Sequence, residues 1–156
     1  MKEINLTIPV KEYSSEAELP AADRELVEAA KRATDGSYAP YSHFRVGAAL
    51  RLANGKIVAG ANQENAAFSA GTCGERSALY YAAANYPGVR IEKIAIAART
   101  DSGFQKEPIS PCGVCRQALM EYENRDGDME AILYGEDRIL SVKNIKSLLP
   151  LCFTEF

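Results

Sequence analysis

FRVGAALRLANGKIVAG, residues 44–60, decides the fold class. Phe44, Val46, Ala48 and Leu50 alternate with the period of a half-buried strand. Asn54-Gly55 is a strong hairpin turn, and Ile57 to Gly60 then returns antiparallel. Working outward, Leu26, Val27, Ala30 and Ala33 have helical spacing from Ala21, with Gly36 as a stop. Further upstream, Ile4, Leu6, Ile8 and Val10 predict a strand over residues 2–10, Pro9 marking its end or an edge, and residues 11–20 read as a loop. Downstream come a helix from about Cys73 to Asn85, a strand over Arg90–Ala98 and a helix from about Pro111 to Glu123. Met129–Tyr134 is a further strand, Arg138–Leu140 a short one, and Ser141 caps a helix to about Leu149, stopped by Pro150. Strands alternating with helices predict an α/β layered fold, its sheet mixed because the first pair is a hairpin.

Composition narrows the function. The 156 residues carry 18 Lys+Arg, 21 Asp+Glu, one His and four Cys, for a formal charge of −3. That length suits one domain, able to bury about 70% of its unfolded surface. At 47% apolar and 25% charged, disordered and fibrous classes are excluded. No apolar run approaches the ~20 residues of a membrane span, so no membrane partner is expected. Residues Met1 to Val10 lack the basic, apolar and small-residue regions of a signal peptide. Net acidity without a basic stripe argues against polymeric nucleic acid. Four Cys without an export signal predict reduced thiols in the cytoplasm, as metal ligands or catalytic groups.

The cysteines carry the chemistry. PCGVC, residues 111–115, opens a helix with Pro near its first position, where a missing N–H costs nothing. Both thiols then sit in the positive field of a helix N-terminus. Alone, this pair stands evenly between metal ligation and a redox couple. GTCGER, residues 71–76, opens a second helix with a third thiol. Cys73 and Glu75, two apart, share no face inside a helix. They approach one centre only if Cys73 lies at the cap, which the flanking Gly71 and Gly74 permit. Zinc takes four ligands. Water in the fourth position makes a catalytic site; Cys152 there makes a structural one. Structural knuckles use two close Cys pairs, and Cys73 and Cys152 are both single, so the spacing favours a catalytic site.

With these stretches in view, the chain resembles the zinc-dependent cytidine deaminases of the small homotetrameric type. The matching segments are YSHFRVGAAL (41–50), NQENA (62–66), CGER (73–76) and SPCGVCRQ (110–117), with Leu148-Leu149-Pro150 and Phe153 at the C-terminal end. The resemblance runs from about residue 22 to 153 and leaves residues 1–20 as an extension before a single catalytic domain, 21–156. It implies a three-layer α/β/α fold on a mixed, roughly five-stranded sheet. It implies one Zn2+ per subunit on Cys73, Cys112 and Cys115, with Glu75 shuttling protons without ligating, the arrangement known for base deaminases. Asn62 and Glu64 match the family's ribose clamp, Phe44 its ring-stacking aromatic, and Phe153 an aromatic lent to a neighbouring subunit. Gly74 stands where the family usually has Ala, at backbone that approaches the pyrimidine. Arg76 matches an Arg that hydrogen-bonds the cysteine sulfurs and offsets their charge; Arg116 is a second candidate, though a surface role suits it better. His43 is given no role, and Cys152 is read as a partly buried thiol. The implied function is deamination of cytidine and deoxycytidine in pyrimidine salvage, by a homotetramer with shared sites. A blasticidin-type aminohydrolase is the alternative, disfavoured by Arg76 and by the Asn-x-Glu-Asn at residues 62–65. A structural zinc module for protein binding is less favoured still.

Overall fold

In the computed structural model, residues 1–154 are described. The hairpin is its centre: β2 (Arg45–Leu52) pairs antiparallel with β3 (Ile57–Ala61). The connecting loop is three residues, Ala53–Gly55, with the Leu52 N–H donating to the Lys56 carbonyl at 2.9 Å. Gly55 takes φ 82°, the left-handed position that ends a three-residue hairpin loop, so the turn is the bulged form and not the two-residue one.

The remaining strands are β1 (Val10–Tyr13), β4 (Ile91–Thr100), β5 (Gly103–Phe104), β6 (Glu130–Tyr134) and β7 (Ile139–Val142). Their order is β1-β7-β6-β4-β2-β3, with β5 attached to β4. Among the strands of the described residues only β4 and β6 pair in parallel, so the sheet is mixed. Its described residues form seven strands where about five were expected; the additions are the two-residue β5 and the edge strand β1, which joins the sheet by pairing with β7.

Helix α1 (Ala21–Ala33) lies on one face, and α2 (Gly74–Asn85) and α3 (Gly113–Asp126) on the other. Alternation along β2 feeds both layers. Ala48, Leu50 and Leu52 join the core under α2 and α3, while Ala49 joins Leu26, Val27 and Ala30 of α1. Each fully buried Leu or Val here contributes about 1.5–3 kcal/mol, and each Ala less. β4 is buried on both faces from Ile94 to Ala98, as the central strand of such a layered sheet must be. Gly60 brings α2 close, because a Cβ there would lie 2.5 Å from the Ala78 nitrogen.

Two expected elements differ. The N-terminal strand covers Val10–Tyr13, paired with β7, while residues 2–9 are exposed and unpaired. Alternation marks residues that can form a strand, but a strand needs a neighbour. Ser141 caps no helix: it sits inside β7 and donates to Glu130. The cap is Asn144, whose Oδ1 accepts from the Ser147 N–H at 3.0 Å, and it opens only one 3-10 turn, Ile145–Leu148, before Pro150.

Candidate functional site

Two helix N-termini on the same face converge. Cys73 is the N-cap of α2 with extended backbone, φ −76° and ψ 156°, as the cap argument required. Cys112 is the N-cap of α3. This helix starts at Gly113, so Pro111 precedes the cap instead of occupying the first turn. Cys115, one turn in, is buried. The three sulfurs lie within 4.8 Å of one another, with Cys73 and Cys112 at 3.8 Å. Sulfurs about 2.3 Å from a tetrahedral zinc stand about 3.8 Å apart, so this set fits that ion. Cys152 is half-buried against the main core, outside this cluster.

The thiols are electrostatically uneven. Hydrogen bonding from Cys115, aided by Arg76 and opposed by burial, brings Cys73 down to about 5. The same contact with Cys73, then burial, drives Cys115 well above the usual thiol range. Burial works against the charge of Arg76, but its hydrogen bonds to Cys73 and Cys115 prevail and hold its pKa above the ordinary value.

Glu75 is 3% exposed. Burial is the main cause that pushes its carboxyl up to about 7, with the neighbouring Cys73 adding to it. Its Oε2 is buried with no hydrogen-bond partner among the described residues. A buried acceptor left open is costly unless something else supplies the donor, and it fits a water or ligand held beside the sulfurs.

These groups wall a cavity of about 750 Å³, lined also by Val46, Asn62, Glu64, Phe68 and Val114. Its far wall is the loop after β3. Asn62 is anchored there: Oδ1 accepts from the Val46 N–H at 2.8 Å and from Ser37 Oγ, while Nδ2 donates to the Phe44 carbonyl at 2.9 Å. One Nδ2 hydrogen remains for a ligand. Glu64 accepts from the Tyr41 N–H at 2.9 Å, the Ser42 N–H at 3.3 Å and the Ser42 hydroxyl. The Ser42 hydroxyl, then the Tyr41 N–H, hold this exposed carboxyl below its ordinary range. Gly74 packs on this wall; a Cβ would meet the Val46 carbonyl oxygen at 2.8 Å.

Phe44 precedes β2, half-buried, and is not among the cavity's lining residues. Phe153 is exposed, its carbonyl accepting from Gln117 Nε2 at 3.0 Å. Arg116 straps the site from behind, with Nε donating to the Pro111 carbonyl at 2.7 Å and Nη1 to the Leu148 carbonyl at 2.6 Å. His43 ends the turn before β2 in the left-handed region, φ 56°. Sequence reading did not single out Ser37 and Ser42. Their signal was weak: two hydroxyls in a polar loop, given purpose only by Asn62 and Glu64, more than twenty residues on.

The comparisons agree with this geometry. The family model for the cytidine and deoxycytidylate deaminase zinc-binding region matches residues 20–127. A cytidine deaminase of Halalkalibacterium halodurans is 40% identical over 120 residues, covering 71% of this chain and 86% of that one. A probable cytidine deaminase of Dictyostelium discoideum is 36% identical over 129 residues, covering 83% and 82%. The crystal structure of cytidine deaminase from Burkholderia pseudomallei superposes with a TM-score of 0.68 at 41% identity, over 83% of this chain and 97% of that one. A zinc-binding family model and a three-sulfur cluster fitted to one zinc therefore describe the same residues. With sheet, cavity and sulfur cluster all accounted for, the chain belongs to the cytidine and deoxycytidylate deaminase family of zinc hydrolases.

Proposed function

We propose that this protein hydrolyses cytidine and deoxycytidine to uridine and deoxyuridine, releasing ammonia. The observation that carries the reading is Glu75, buried beside three clustered sulfurs with one oxygen unpartnered, in the wall of a nucleoside-sized cavity. Cys73, Cys112 and Cys115 would hold a zinc ion, which would supply the Lewis acidity that brings a water towards neutral pKa. Glu75 does the proton work. It takes a proton from the attacking water, gives it to ring N3, and then assists the amino group as ammonia leaves C4. A carboxyl brought to about 7 by burial suits transfer in both directions near neutral pH.

Arg76 sets a fixed positive charge against the Cys73 and Cys115 sulfurs. Asn62 and Glu64 receive the sugar hydroxyls, through the remaining amide hydrogen and the carboxylate lone pairs. Backbone at Gly74 borders the base; the stacking role that the family resemblance gives Phe44 has no support from the cavity lining of the single chain, which omits it. The reading extends to a cytoplasmic homotetramer in which Phe153 completes a neighbour's site. Its support is exposed apolar surface: Phe68, 99% exposed, and Val114 line the cavity, and Tyr80, Tyr81 and Leu151 are exposed as well. The four cysteines are all unpaired, which suits a reducing compartment.

The test is turnover of cytidine, deoxycytidine, cytosine and blasticidin S, with and without a zinc chelator. The two nucleosides should react and the chelator should abolish it. Turnover of blasticidin S alone, or full activity after verified zinc removal, would overturn the reading.

A further inference from the structure

The chain carries an N-terminal segment that its own fold does not use. Ile4 is 73% exposed and Leu6 60%, and Ile8 and Val10 are exposed as well. The segment leads into β1, the end strand of the sheet, whose outer edge has no neighbour among the described residues. An open edge continued by an exposed alternating segment is a template for another strand. Most of its charges also lack a close ion-pair partner among the described residues, although Lys11 acts on Glu130 at longer range. Lys2, Glu3 and Lys11 make no ion pair among the described residues, and Glu12 meets only Arg138, at 3.2 Å on the surface.

We propose that residues 2–12 pair antiparallel with the same residues of a second copy, about a two-fold axis through Thr7. In this register Glu3 faces Lys11 of the partner subunit and Lys2 faces Glu12 of the partner subunit. Ile4 faces Val10 of the partner subunit, and Leu6 faces Ile8 of the partner subunit. Two-fold symmetry makes every one of these contacts twice, so four opposite-charge pairs flank a continuous apolar stripe.

The sequence selects this register against its neighbours. Slipping the axis by half a residue one way sets Lys2 against Lys11 of the partner subunit. Slipping it the other way sets Glu3 against Glu12 of the partner subunit. Like charges directly opposite destabilise a strand pair, and a slip of one residue in pairing also breaks the apolar stripe. Pro9 fits the same arrangement. It falls opposite Asn5, on the parity of Thr7, and with Thr7 at a non-hydrogen-bonded pair neither position donates an N–H across the contact. The two β1 edges then join two sheets into one, and both open edges are closed.

The experiment uses the full-length, zinc-loaded chain with a single added cysteine, mild oxidation by oxidised glutathione, and non-reducing denaturing electrophoresis, the unsubstituted chain serving as blank. Residues at a non-hydrogen-bonded pair have Cα atoms about 4.5 Å apart, within disulfide reach. Thr7→Cys should therefore give a covalent dimer, and Asn5→Cys, which faces proline, should not. Adding Lys11→Glu to Thr7→Cys should remove the dimer band, and adding Glu3→Lys to that pair should bring it back. Equal cross-linking at positions 5 and 7, no cross-link at either, or a Thr7→Cys dimer indifferent to charge reversal overturns the proposal.

Discussion

Asn62 Oδ1 accepts the Val46 backbone N–H at 2.8 Å, fastening the loop after β3 to the edge of β2. The same amide also holds Ser37 and the Phe44 carbonyl, so it braces the cavity wall before any ligand arrives. Asn62→Ala should therefore cost about 1–3 kcal/mol of stability by leaving these partners unpaired, as well as lowering kcat/KM. Denaturant midpoints beside kinetics check this. A variant with full stability and reduced kcat/KM would leave Asn62 as a ligand contact alone.

Glu75→Gln should keep zinc, because all three sulfurs remain, yet lose at least about a hundredfold in turnover, the scale of general acid–base catalysis. Stability at neutral pH should not fall, since a neutral amide replaces a carboxyl that burial already disfavours in its charged form. Metal content per chain, kcat and thermal midpoint are the measurements. Zinc loss would place Glu75 among the ligands.

Gly74→Ala sets two effects against each other. Helix propensity favours Ala by up to about 1 kcal/mol. The added Cβ, however, meets the Val46 carbonyl oxygen at 2.8 Å, and that atom belongs to the backbone of β2. Overpacking of this kind costs about 1–3 kcal/mol, so the clash should win by about 1 kcal/mol. The displaced turn carries Cys73, and zinc affinity in a competition titration should fall with the thermal midpoint. A higher midpoint would show that β2 yields freely.

Lys93 tests electrostatics away from the cavity. Its Nζ reaches Asp23 at 2.8 Å and Glu130 at 2.8 Å, and Asp23 is buried. Burial raises the Glu130 pKa, but Lys93 and Ser141 outweigh it and hold the carboxyl below its ordinary value. A depressed folded-state pKa contributes stability above the unfolded value and loses it as pH falls through the folded one. Lys93→Met should thus cost about 3 kcal/mol at neutral pH, the low end for breaking a buried pair because Lys93 is partly open to water. The deficit should narrow on acidification as the carboxylates protonate. A deficit independent of pH would assign it to packing.

What the sequence made legible was local. The cap position of Cys73 followed from two glycines and the failure of residues two apart to share a helix face, and α1 followed from periodicity. What it hid depends on partners far along the chain. The extent of β1 is set by β7, more than a hundred residues on, and Ser141 serves a strand because β6 stands beside it. Arg116, read mainly as a surface residue, spends its guanidinium on the Pro111 and Leu148 carbonyls, and no local pattern announces an Arg that holds two loops.

Cys73 and Cys112 are 39 residues apart in the chain, and the segment between them contains all of β4. A metal on both ends is therefore a staple that closes a loop around the strand at the heart of the sheet. For a disulfide, closing a loop of that length removes about 4 kcal/mol of entropy from the unfolded chain. Demetallation should accordingly be felt in amide-exchange protection along β4, which contributes no ligand to the metal, while the outlying β1–β7 pair should change little. The chemistry at the cavity mouth and the persistence of the central strand share one tether.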